Sequence, residues 1–103
     1  MKFKDEDIIK LMNQVALFDM TNNEIFKPLE TREDMISKMG LDSFDYVMWY
    51  LYIGEEFGIE QATFNEHLTR EDLPVSRIID FINDFYTIEV DFEESYKKYI
   101  KPI

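Results

Sequence analysis

At 103 residues the chain suits one compact domain, and 46% hydrophobic with 16% aromatic content is enough for a core without cross-links. Its 22 acidic against 11 basic side chains leave a formal charge of −11, which argues against nucleic acid and anionic membranes as partners and for proteins that present basic patches. With no cysteine, neither a disulfide framework nor a thiolate zinc site is available.

From Met1 to Ile9 charged residues alternate with isolated apolar ones, without the continuous apolar run of a signal peptide. No segment approaches the ~20 apolar residues of a membrane span. A cytoplasmic monomer without a membrane span is expected.

Between Asp5 and Phe18 the apolar residues Ile8, Ile9, Met12, Val15, Ala16, Leu17 and Phe18 follow the period of an amphipathic helix, and Asp5, Glu6 and Asp7 suit its positive end. Thr21, Asn22 and Asn23 interrupt the pattern, and Pro28 keeps the next stretch extended. A long connection with one short turn is expected there, anchored by Ile25, Phe26, Leu29, Met35 and Ile36. Gly40 is the next break. A second helix opens near Asp42 or Ser43, both good capping residues, and runs to Phe57 without proline or asparagine. Phe44, Val47, Tyr50 or Leu51, Gly54 and Phe57 form its predicted apolar stripe, with Gly58 as terminator.

Gln61 to Asp72 is polar, consistent with a loop and a short helix that bury Phe64 and Leu68. Pro74 fits the entry to a strong last helix, with Val75, Ile78, Ile79, Ile82 and Phe85 at helical spacing. In the charged and aromatic tail from Thr87 to Ile103, Phe92, Tyr96, Tyr99 and Ile100 lie at i, i+4, i+7 and i+8. This spacing predicts either an extra helix over Glu93 to Ile100, packed against the Trp49/Tyr52 side of the second helix, or a frayed extension.

The segment Met39-Gly40-Leu41-Asp42-Ser43-Phe44-Asp45 leads into a helix that closes Glu55-Glu56-Phe57-Gly58-Ile59-Glu60. Here the chain resembles the acyl carrier proteins, where a Gly-x-Asp-Ser-Leu motif opens helix 2 and a Glu-Glu-Phe-Gly-Ile-like phrase closes it. The likeness spans residues 5–86, is specific from 39 to 60, and extends to Val75-Ser76-Arg77-Ile78-Ile79-Asp80-Phe81-Ile82 as the family's last helix. Phe44 stands where leucine is usual, Met48 where a partner-contacting glutamate is common, and Gly54 at another such position.

The resemblance implies an all-α bundle of three main helices and one short one over residues 1–86; residues 87–103, outside the likeness, are expected as an extension packing on the same domain. It implies 4′-phosphopantetheine on Ser43, with Asp42 positioning the serine and the metal ion of a phosphopantetheinyl transferase. Acyl-loading and acyl-processing enzymes with basic docking patches would meet Phe44, Asp45, Met48, Tyr52, Glu55 and Glu56. Cargo would tuck among Val47, Tyr50, Ile59, Phe64, Ile79 and Ile82. The expected role is non-catalytic carriage of acyl thioesters in fatty-acid-type or specialised lipid and secondary-metabolite synthesis; peptidyl or aminoacyl carriage remains open.

Elementary chemistry gives Ser43 two readings. A serine in the first turn of a helix faces outward among free N–H groups and the positive dipole end, which favours a phosphodiester anion. Alternatively it is only a cap. Asp45, Glu55, Glu56 and Glu60 are an acidic docking surface or the ordinary solvated face of a helix. Tyr46, Trp49, Tyr50 and Tyr52 cannot all turn inward together with Phe44 and Phe57, so a rival reading is an unmodified interaction module with an exposed Tyr46/Trp49/Tyr52 patch. His67, the sole histidine, has no cysteine partner for a nucleophilic site, and no Asp-x-Asp-x-Asp-Gly loop is present, so no catalytic residue and no metal are assigned.

Overall fold

Asp5, Glu6 and Asp7 occupy the first turn of α1 (Asp5–Asp19), where the helix dipole favours them. The computed structural model describes residues 2–20, 24–68 and 72–100. After α1 come a 3₁₀ turn (Ile36–Met39), α2 (Ser43–Phe57), α3 (Gln61–His67), α4 (Val75–Phe85) and α5 (Phe92–Lys98). Among the described residues there is no strand, only one isolated bridge between Met35 and Pro74. None of the described helices is long and apolar enough to cross a membrane. The break expected at residues 21–23 lies outside the described residues.

The core lies where α1, α2 and α4 meet. Ile8, Leu11, Met12 and Val15 of α1, Trp49, Ile53 and Phe57 of α2, and Val75, Ile78, Ile79 and Ile82 of α4 are all fully buried. Burying such aliphatic side chains is worth about 1.5–3 kcal/mol each before conformational entropy is set against it.

Polar side chains fasten the connection between α1 and α2. The Asn13 amide donates to Leu29 O (2.8 Å) and accepts from Leu29 N (2.7 Å), so one side chain satisfies both backbone groups of a buried residue. Arg32 bridges Asp5 of α1 and Asp80 of α4 at 2.9 and 2.7 Å. α4 has no side-chain cap; its first N–H groups, from Val75 and Ser76, donate instead to Asp34 O and Arg32 O.

Two connection anchors are corrected. Leu29 and Ile36 are buried and Phe26 is half-buried, but Ile25 and Met35 are 61% and 40% exposed, because the loop is held by hydrogen bonds as much as by apolar contact. The face of α2 is corrected as well. Phe44 and Val47 are 71% and 64% exposed, while Trp49, Ile53 and Phe57 point inward at i, i+4 and i+8. The Trp49 N–H finds its acceptor in the backbone carbonyl of Met12, and the bulk of the indole fills the α1–α2 contact; both requirements set the rotation of the helix.

The tail forms a helix, α5, two residues shorter at its C-terminal end than the predicted span and begun one residue earlier. Tyr96 and Tyr99 are buried; Ile100, included in the predicted stripe, is 63% exposed. Tyr99 and Phe18 pack edge-on with centroids 5.5 Å apart, and Tyr52 contacts both rings. The extension therefore lies against the Tyr52 side of α2, while Trp49 belongs to the core.

Candidate functional site

Gly40 ends the 3₁₀ turn at φ +74°, a left-handed conformation that only glycine adopts without strain, and this turns the chain into α2. Asp42 then caps the helix: its Oδ1 accepts from Asp45 N at 2.8 Å, and its carbonyl accepts from Tyr46 N at 3.0 Å. Ser43 is thus the first helical residue and not the cap. Its side chain is exposed, and its hydroxyl has no hydrogen-bond partner among the described residues. The N–H groups of Ser43 and Phe44 likewise have no acceptor there, as expected for the first turn of a helix.

Ser43 forms part of the wall of a cavity of about 710 Å³ between α2, α3 and the 3₁₀ turn. Tyr46, Val47 and Tyr50 follow at +3, +4 and +7 along the same face of α2, Phe64 and Leu68 close it from α3 and its end, and Ile36, Ser37 and Asp72 form the remaining side. The walls are cross-braced. Tyr46 OH donates to Ile36 O at 2.7 Å, and Gln61 Nε2 donates to Tyr50 O at 3.0 Å. Ser37 donates from N and Oγ to the two Asp72 oxygens at 3.1 and 2.6 Å. Tyr50 packs edge-on to Trp49 (5.0 Å) and Phe64 (5.7 Å), which ties the cavity wall to the core. Burial first, and the negative charge of Asp72 second, push the phenols of Tyr46 and Tyr50 up to about 12.

Of the residues expected to hold cargo, Val47, Tyr50 and Phe64 line this cavity. Ile79 and Ile82 do not: both are fully buried on α4, because Trp49, Phe57 and the α1 side chains fill the centre of the bundle and leave the open space at its side. Ile59 is buried at the far end of α2, beside a separate shallow depression flanked by Leu51 and Gly54. Tyr46, Gln61, Asn65 and Asp72 line the cavity outside that expectation. Tyr46 was within reach of the sequence, since it sits one helical turn from Ser43; the other three required the position of the α3 segment.

The expected docking residues divide. Phe44 and Glu55 are exposed, and Asp45 and Met48 are half-exposed, all on the outer side of α2. Tyr52 is partly covered by Phe18 and Tyr99. Glu56 is corrected: only 8% exposed, its carboxylate accepts from Ser95 Oγ (2.5 Å), Tyr99 OH (3.1 Å) and Lys98 Nζ (3.2 Å). It fastens α5 to α2 and is unavailable to a docking protein. Burial, followed by the Glu56 charge, raises the Tyr99 phenol above its ordinary value. His67 lies on the Phe85 ring with centroids 4.4 Å apart.

No family model, curated protein or solved structure matches this chain.

Proposed function

We propose that the chain is a carrier protein in which Ser43 bears 4′-phosphopantetheine and the adjoining cavity receives the outer end of that arm with its cargo. The observation that supports this most is the coincidence at Ser43 of an exposed, uncommitted hydroxyl, a helix N-terminus and the lip of a cavity of about 710 Å³, within the range of small-molecule sites.

The residues present suit such a group. Asp42 supplies the cap and so frees Ser43 Oγ to form an ester. The N–H groups of Ser43 and Phe44, without an acceptor among the described residues, favour a phosphodiester anion at that place. When bound, the arm supplies a terminal thiol for thioester formation. Phe64 and Leu68 offer buried apolar walls, with the exposed Val47 beside them, against which a thioester can lie. In this reading the chain contributes tether, shelter and recognition, while an acidic surface of net charge −11 steers basic loading and processing enzymes toward it.

Incubation with coenzyme A and a broad-specificity phosphopantetheinyl transferase, followed by intact-mass measurement, tests the reading. One arm should appear on the wild type and none on Ser43→Ala. Absence of addition with several transferases would favour an unmodified interaction module instead. Its surface would then be Phe44 and Val47, 71% and 64% exposed, because Trp49 is fully buried and the Tyr46/Trp49/Tyr52 patch does not exist.

A further inference from the structure

We propose that the cargo sheltered beside Ser43 carries a protonated amine, as an aminoacyl or amino-alkanoyl group does, with Asp72 as the residue that recognises it. This rests on the carrier reading and gives it a substrate class.

Among the described residues Asp72 is the one carboxylate on the cavity wall, and no lysine, arginine or histidine lines the cavity. The carboxylate is held in place from across the fold: Ser37 N reaches Oδ1 and Ser37 Oγ reaches Oδ2, and among the described residues neither oxygen has a further partner. Asp72 is itself exposed where it lines the cavity, and its charge, after burial, opposes ionisation of both wall phenols. A cation brought to this place meets a prepositioned anion in a cavity that Tyr46, Tyr50 and Phe64 also line.

An unsubstituted alkyl chain fits less well. The Tyr50 hydroxyl and the Asn65 amide have no hydrogen-bond partner among the described residues, and Gln61 uses only its Nε2. Covering the partly buried Tyr50 hydroxyl and Gln61 amide with hydrocarbon strips them of water without replacement, whereas the exposed Asn65 stays free to turn toward a polar cargo. An amine at the end of a methylene stem resolves the conflict: the stem lies on Val47, Phe64 and Leu68, and the ammonium reaches Asp72 with polar neighbours to share its protons.

The test compares two arms of matched length, 6-aminohexanoyl and heptanoyl, each joined to the coenzyme A sulfur position through a stable amide and attached to Ser43 by a transferase. Intact mass first shows whether the arms attach; if neither does with several transferases, the carrier reading falls and this inference with it. With both attached, the amino-loaded protein should melt roughly 2–4 °C above the heptanoyl-loaded one at neutral pH. That gap should close in Asp72→Asn, and amide NMR shifts at Asn65 and Asp72 should follow the amino form alone. Equal melting of the two wild-type forms, a higher melting heptanoyl form, or a gap unchanged in Asp72→Asn overturns the amine assignment while attachment at Ser43 stands.

Discussion

The indole N–H of Trp49 donates to the backbone carbonyl of Met12 over 3.0 Å, in the fully buried seam between α2 and α1. That bond, together with the bulk of the buried indole, favours the rotation of α2 that leaves Ser43 and the cavity face free. Trp49→Phe removes the donor and part of the ring volume, so we expect a loss of about 1.5–3 kcal/mol, read as a lower urea midpoint by circular dichroism. A midpoint equal to wild type would show that the seam does not depend on the indole.

Asp42 and Ser43 are neighbours with opposite expected behaviour. Asp42→Ala removes the acceptor for Asp45 N and should cost about 1 kcal/mol. Ser43→Ala removes a hydroxyl without a partner among the described residues and should stay within about 0.5 kcal/mol of wild type. Thermal melting of the two variants separates a capping serine from a displayed one, and a larger loss at Ser43 would count against display.

Truncation after Tyr86 should lower the melting temperature, because it strips Ser95, Lys98 and Tyr99 from the Glu56 carboxylate and uncovers Phe18 and Tyr52. Glu56→Ala in the full chain should cost about 1–3 kcal/mol by leaving the Ser95 and Tyr99 hydroxyls unpaired. Trp49 emission should stay that of a buried indole in both, since the tail covers Tyr52 and not Trp49. An unchanged melting curve would make α5 an ornament.

Alkaline pH should unfold the protein. The phenols of Tyr46, Tyr50 and Tyr96 are pushed from 10 up to about 12, chiefly by burial. Between those two values the folded chain holds protons that the unfolded chain has lost, so stability is complete below pH 10 and falls as pH rises toward about 12. Urea midpoints at pH 9 and pH 11 check the sign; a higher midpoint at pH 11 contradicts it.

Gly58→Ala should destabilise by at least about 1 kcal/mol. Gly58 has φ +65°, and a Cβ there would collide with Thr87 Oγ1, which donates to Gly58 O and belongs to the strap that carries the chain from α4 to α5. Denaturation of the variant alongside Thr87→Ala,Gly58→Ala distinguishes the clash, which the double variant relieves, from the backbone strain, which it keeps.

Local patterning settled a good part of this protein. α4 shows a clean apolar stripe, and Val75, Ile78, Ile79 and Ile82 are buried as their spacing requires. Gly40, Asp42 and Gly58 mark the ends of their elements through chain-local chemistry that no distant contact overrides. The place of Ser43 at the start of α2 follows from the same signals.

Packing decided the rest. Apolar side chains surround most of α2, so its composition named no preferred face, and only the fit of Trp49 against Met12 chose one, sending Phe44 and Val47 outward. Glu56 reads as a solvated acid until α5, some forty residues later in the chain, brings Ser95, Lys98 and Tyr99 to it. The cavity depends on the same kind of meeting, with Asp72 held by Ser37 opposite Tyr50. Periodicity records what one helix offers its surroundings, whereas a pocket or a buried charge depends on which segments arrive from elsewhere.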